Sequence, residues 1–351
     1  MVNDQDSCAQ CRHVSVYIVG SPMHYLAARC IAENFEPPGR KVLLYYHEAI
    51  EAFIDKAEWD AMDFLPWPRK RPLPGPFGIH RRLLENLRKV AKLVGSCDSI
   101  TIHAGGYGAE ATNYFVLGLG PLVGANAVSA RILPEGVDST RRYPLSLKKR
   151  WSHKLRLLRR IVSPELKFRT FSGDHTGADA AFVDRIYTLP GLPHQYQADK
   201  VVELPPLVKP SAALPEESSR LRALVIGQPL TGSNLLMEAD LPRVTERIHS
   251  WLREQGVTAI DYKGHPRDPG NELMSTGDQP LLLNEPIESY LARTHYDFIV
   301  GVRSTVLLFA RQIYGRHVRV LAFGWDLSLF KSPEERKDME ALFASSGVEL
   351  I

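Results

Sequence analysis

The chain has 351 residues, 44% of them hydrophobic and 24% charged, and a net charge of +3. It is too long for one comfortable hydrophobic core and suits two domains, and its composition is that of an ordinary folded, water-soluble protein. The cysteines are Cys8, Cys11, Cys30 and Cys97. Cys8-x-x-Cys11 has no second pair and no His at metal spacing, which argues against a zinc site. It also precedes the first strand, which argues against a thioredoxin-type redox pair.

The N-terminus is polar, with Asp4, Asp6 and Arg12 and no apolar core segment, so no signal peptide is expected. Reduced thiols in a cytoplasmic protein are the corresponding expectation. A short apolar run at 14–19 reads as the first strand. It stops at Gly20-Ser21-Pro22, with a helix to about Asn34. A second strand is expected at 41–46. An amphipathic helix follows at 79–94, with Leu83, Leu84, Leu87, Val90 and Val94 on one face. Residues 99–103 read as a strand ended by Gly105-Gly106. The long uncharged stretch at 111–130 is broken by Gly118, Gly120, Pro121 and Gly124. It reads as a buried helix, a loop and a strand rather than a membrane span. Residues 127–133 then lead into the corner Leu133-Pro134-Glu135-Gly136.

Charge is uneven beyond that corner. Residues 141–169 hold eleven Lys or Arg and one acid, Glu165, which places about +10 there and leaves the rest near −7. Composition alone leaves phospholipid, nucleic acid, acidic polysaccharide or a solvated helix face as readings of this block. Four prolines within 204–215 mark a linker. The alternation then restarts. Strands are expected at 222–226, 257–262, 297–302 and 319–323, and helices at 241–255, after Ser304-Thr305, and at 332–346. Continuous apolar strands between helices predict parallel sheets covered on both faces. The fold class expected is therefore α/β, with two tandem Rossmann-like doubly wound domains facing across a cleft. The boundaries expected are 1–205, 206–330, and a C-terminal helix at 331–351 packing back on the first domain.

In doubly wound sheets, ligands lie beyond the carboxyl ends of the strands, and three short motifs fall there. Glu135 is a carboxylate beside a glycine turn and could serve as a general base, as could Asp138 nearby. His265 lies in Tyr262-Lys263-Gly264-His265-Pro266-Arg267, flanked by Lys263 and Arg267, where an imidazole can stabilise a departing phosphate. Ser304-Thr305 opens a helix, where hydroxyls and free N–H groups bind phosphate, and Arg303 adds a charge beside them. Glu288, in Glu285-Pro286-Ile287-Glu288, could take the two hydroxyls of a ribose. A plain turn acid, a structural loop histidine and a plain helix cap are the ordinary alternatives for the three corners.

What is missing narrows the chemistry. No Gly-x-Gly-x-x-Gly follows the first strand and no Walker loop is present, which argues against nicotinamide, flavin and P-loop enzymes. No Gly-x-Ser-x-Gly elbow is present. The one Asp-x-Asp, Asp4-Gln5-Asp6, lies before the first strand, so a sugar transferase dependent on a divalent metal is not expected.

Taken together, these residues resemble the bacterial sialyltransferases of the two-domain GT-B fold, in particular the lipooligosaccharide sialyltransferases and capsule polysialyltransferases. Glu135-Gly136 resembles the end of the family's acid-acid-Gly motif, although Pro134 stands where the family has its first acid. Gly227-Gln228-Pro229 resembles the opening of the second domain, and His265-Pro266 the His-Pro motif. Pro286-Ile287-Glu288 resembles the ribose-binding acid, and Ser304-Thr305 the phosphate-binding hydroxyl pair. The resemblance implies an inverting, metal-independent transferase of the bacterial cytoplasm. It would move a nonulosonic acid from a CMP-activated donor to a glycan hydroxyl, with no cofactor beyond that co-substrate. Glu135 and His265 would be catalytic. Gly227, Gln228, Lys263, Pro266, Glu288, Ser304 and Thr305 would bind the CMP donor. Ser21, Pro22, Gly105, Gly106 and Asp138 would lie near the acceptor or sugar. The basic block would hold the enzyme peripherally on the anionic inner membrane or guide an anionic glycan, and nucleic acid is not expected as a partner.

Overall fold

The structure, a computed structural model, describes residues 11–136, 141–208, 220–265, 268 and 270–351. It divides into two units, Met1–Pro190 with His194–Leu207, and Gly191–Pro193 with Val208–Ile351. The break at Leu207/Val208 lies inside the proline-rich stretch expected as a linker.

In the first unit, strands β1 (Cys11–Val19), β2 (Arg40–Tyr45), β3 (Ala61–Phe64), β4 (Cys97–Ala104), β5 (Ala127–Ile132), β6 (Val183–Thr188) and β7 (Val201–Glu203) form one sheet. Its order is β3-β2-β1-β4-β5-β6-β7. All six pairings are parallel. Helices α1 (Pro22–Asn34), α2 (Gly78–Val94) and α3 (Glu110–Val123) are the crossovers. The helix α2 buries Leu83, Leu87, Val90 and Val94 and leaves Leu84 partly covered, as the spacing predicts. Gly95 ends it with φ 71°, a left-handed turn that favours glycine. The central strands β1 and β4 are covered on both faces: Val16 and Ile102 pack with the α2–α3 side, and Tyr17 with α1. Two further helices, α4 (Leu147–Arg156) and α5 (Arg159–Val162), lie between β5 and β6.

In the second unit, β8 (Arg222–Ile226), β9 (Ala259–Lys263), β10 (Gln279–Pro280), β11 (Phe298–Gly301), β12 (Arg319–Ala322) and β13 (Glu349–Leu350) form a parallel sheet. Its order is β10-β9-β8-β11-β12-β13. Helices α6 (Leu241–Glu254), α7 (Ile287–Leu291), α8 (Thr305–Tyr314) and α9 (Pro333–Ser345) complete it. Residues 331–351, expected as a separate C-terminal helix, cluster with the second unit. There β13 pairs with β12 and Phe343 is fully buried against Trp325.

Each sheet runs outward from a central pair, β1 and β4 in one and β8 and β11 in the other, with strand order reversing there. Crossovers leave the two central strands in opposite directions, so a crevice opens at their carboxyl ends. Those two ends are where the candidate residues gather.

Candidate active site

A cleft of about 400 Å³ lies within the first unit, at the carboxyl ends of β1, β4 and β5. Gly20 follows β1, Gly105 and Gly106 follow β4, and Glu135 follows β5; all four line the cleft. Gly105 is required by close approach. A Cβ there would run into the Glu135 carboxylate and would lie 2.9 Å from His24 Cε1. At Gly106 it would press on the Thr176 side chain at 3.1 Å.

Beside Glu135 stands His24, which the sequence did not single out. Ser21 caps α1, its Oγ accepting the His24 backbone N–H at 3.1 Å, and Pro22 sits in the first turn. Ser21 and Pro22 therefore build the helix start, and His24, on its first turn, faces the cleft. Its Nδ1 accepts the Gly20 N–H at 3.3 Å, which leaves the imidazole proton on Nε2. Nε2 is buried without a hydrogen-bond partner and lies 3.7 Å from Glu135 Oε1. Burial pushes the imidazole down to about 4, so it is neutral at pH 7. The contact is thus between a neutral imidazole and a carboxylate, longer than a hydrogen bond. The Glu135 side chain is 45% exposed.

The opposite part of the cleft is cationic. Lys149, Ser152, His153 and Arg156 come from α4. Arg156 donates to Gly108 O at 2.8 Å and lies 3.6 Å from the buried Glu110 carboxylate, which Arg159 also reaches at 3.0 Å. Sequence reading saw these residues only as part of a charge count; the helix periodicity of Lys149, Ser152, His153 and Arg156 was the signal that could have placed them on one face.

A second feature missed by sequence reasoning is the loop Gly173-Asp174-His175-Thr176-Gly177. His175 and Thr176 line the cleft. Asp174 holds the loop, accepting from Tyr143 N at 2.6 Å and from Thr176 N at 2.8 Å. Burial raises the Asp174 carboxyl, but the His175 imidazole 3.6 Å away and hydrogen bonds from Thr176 and the backbone outweigh it and hold the group at about 2. The two glycines, with φ of 87° and 91°, frame the turn and were the legible signal.

In the second unit, Gly227 ends β8, His265 follows β9 and Ser304 follows β11. Gly227 donates to Lys263 O at 2.9 Å, and a Cβ on it would meet the Tyr262 hydroxyl. Gln228 Oε1 accepts the Arg303 N–H at 2.8 Å, tying the β8 and β11 corners together across the switch point. Ser304 caps α8 through its Oγ to Val306 N at 3.2 Å, and Thr305 is the first helical residue. The Arg303 guanidinium donates to Leu329 O at 2.6 Å and lies over the Phe330 ring at 4.2 Å, both in the segment before α9.

Glu288, on α7, is 5% exposed, and its Oε2 is buried with no hydrogen-bond partner. Burial raises its carboxyl. Burial lowers the Lys263 ammonium, which the charge of Glu288 partly restores, so the two groups sense each other. A buried acceptor left unmatched costs stability and signals a missing donor. His265 is half-buried, and its carbonyl accepts from Asp268 N at 2.8 Å. Asp138 and Pro266 lie outside the described residues.

The second-unit sequence carries a recognisable pattern. Residues 189–321 match the model of the alpha-2,8-polysialyltransferase family. The match agrees with the resemblance read from the motifs, and the enzyme class they implied, a glycosyltransferase, is that of the matching family. No curated protein sequence matches the chain. Among solved structures, UDP-GlcNAc 2-epimerase from Neisseria meningitidis, bound to UDP-GlcNAc, superposes with a TM-score of 0.51 at 13% identity. The alignment covers 94% of this chain and 85% of the epimerase. CalG4, the calicheamicin glycosyltransferase, superposes with a TM-score of 0.51 at 11% identity, covering 98% of this chain and 86% of that one. At such identities the likeness is one of fold, the pair of Rossmann-like units expected for GT-B.

Proposed function

We propose that the protein is an inverting, metal-independent glycosyltransferase that moves a nonulosonic acid from a CMP-activated donor to a glycan hydroxyl. The observation that carries this reading is the Glu135 carboxylate, half-exposed in a strand-end cleft, 3.7 Å from Nε2 of a neutral histidine. The family match over residues 189–321 supports the donor class.

In this reading the acceptor hydroxyl enters the first-unit cleft. Glu135 takes its proton as the acceptor oxygen bonds to the anomeric carbon of the donor sugar. His24 Nε2–H, 3.7 Å from one carboxylate oxygen, helps to place the half-exposed base. Glu135 is preferred to Asp138 as base because of this setting. The bond from the anomeric carbon to the phosphate oxygen breaks through an oxocarbenium-like state, and its electron pair leaves with CMP. Charge on that phosphate is taken up by His265 and by Ser304 and Thr305 at the start of α8. Glu288 Oε2, buried and unmatched, accepts from the ribose hydroxyls. Gly227, Gln228, Lys263 and Pro266 complete the CMP-binding surface.

Isothermal titration of the full chain with CMP and UDP tests the donor class. Tighter binding of CMP supports the reading. Tighter binding of UDP replaces it with a GT-B transferase or epimerase that uses a UDP-sugar.

A further inference from the structure

Among the described residues, thirteen large apolar side chains are strongly exposed, and six of them fall between positions 147 and 162. They are Leu147, Trp151, Leu155, Leu158, Ile161 and Val162, each from 56% to 77% exposed. Leu157 and Leu158 keep helical backbone angles between α4 and α5, so the segment is nearly one continuous helix. Positions 147, 151, 155, 158 and 162 are spaced by four, four, three and four residues, which puts them on one stripe.

That stripe does not hold the helix in place. The opposite side does: Ser152, His153 and Arg156 face the cleft, Tyr114 Oη donates to Arg156 O at 3.1 Å, and Arg156 and Arg159 reach Glu110. Exposed Lys148, Arg150, Lys154 and Arg160 stand in the same segment, and no acid occurs from 141 to 164. The Lys154 ammonium lies 5.3 Å from the Trp151 ring centroid. A tryptophan within a leucine stripe, set among lysines and arginines, is the composition of a helix lying in a lipid interface.

We propose that this face seats on an anionic lipid bilayer. The apolar stripe enters the boundary between headgroups and acyl chains, and the flanking cations meet lipid phosphates. Charge complementarity selects this occupant. A second copy would bring the same cations against each other, and an acidic glycan would leave the stripe in water. No helix of the described residues is long and apolar enough to cross a membrane, so this contact is peripheral. Because α4 lines the cleft with its other side, the acceptor is engaged next to the lipid surface. The contact stands independently of the donor reading.

The test is flotation of the full chain with vesicles of phosphatidylcholine alone and with about 30% phosphatidylglycerol. The chain should float only with the anionic vesicles. Leu155→Glu with Leu158→Glu should weaken that partition at least about tenfold. Melting temperature and CMP titration, the latter reading the donor site separately, should stay unchanged. Absence of flotation by the wild-type chain would overturn the proposal. Equal flotation by the double variant would overturn it too, leaving charge alone. So would light scattering that shows the variant turning a dimer into a monomer with vesicle partition unaltered.

Discussion

His24 Nε2 lies 3.7 Å from Glu135 Oε1, and the pair can approach because Gly105 has no side chain to stand between them. Three strand ends contribute one residue each: the helix after β1, the glycine after β4 and the acid after β5. The carboxylate is thereby set beside a fixed neutral partner while remaining half-exposed.

If Glu135 is the base, Glu135→Gln keeps the shape and removes proton acceptance. Turnover should fall between about a hundredfold and ten-thousandfold. The half-exposed side chain means that melting temperature should hardly move. Initial rates with a saturating acceptor, beside a thermal melt, check both halves; an active variant would move the base elsewhere, with Asp138 next in line.

The histidine's neutrality is directly measurable. His24 should titrate at about 4, well below the ordinary 6.5, because burial penalises the imidazolium. The unfolded chain therefore binds the proton first as pH falls. The His24 contribution to stability is complete above pH 6.5 and declines from there toward pH 4. His24→Gln should flatten that part of the stability profile. Nitrogen-15 NMR of the imidazoles gives the midpoint, and one near 6.5 would remove the buried dyad.

Gly105→Ala should abolish transfer while leaving the rest of the first unit folded. The added methyl drives into the Glu135 carboxylate, and overpacking of this kind costs about 1–3 kcal/mol. Gly124→Ala is the control for a glycine with open space around it, although its φ of 79° carries its own strain. A transferase that kept full activity with alanine at 105 would contradict the crowded corner.

Asp174 anchors the His175-Thr176 wall of the cleft and is 1% exposed. Its carboxyl is held at about 2, below its ordinary 3.8, so it stabilises the fold above pH 4 and loses that effect as pH falls toward 2. Asp174→Asn should cost about 2 kcal/mol at pH 7 and reduce the acid sensitivity of unfolding. Urea melts at pH 7 and pH 3 compare the two.

The alternation of strands and helices was legible because the central strands are uninterrupted apolar runs and the helices have clear caps and stops. Residues 222–226 emerge as β8 at the expected bounds. The strands β7, β10 and β13 went unread because each spans three residues or fewer, and the four-residue β3, Ala-Met-Asp-Phe, carries a charge. The six-residue β6, Val-Asp-Arg-Ile-Tyr-Thr, mixes charge with apolar residues. Glu135, Gly105 and Gly106 were legible as strand-end corners. His24 was not, because a histidine on the first turn of an ordinary Ser-Pro-capped helix carries no local mark; only the fold brings it to an acid 111 positions away. Arg303 shows the converse. Its place beside Ser304 suggested a phosphate charge, whereas its contacts with Leu329 O and the Phe330 ring carry no mark in the sequence.

The most direct test of the central claim is donor cleavage by the purified full chain. CMP-linked sialic acid and UDP-GlcNAc would be supplied separately with EDTA present, and release of CMP or UDP followed by chromatography. The account predicts release of CMP alone, reduced about a hundredfold or more in His265→Ala. Release of UDP, or CMP release that needs a divalent metal or survives unchanged in His265→Ala, would contradict it.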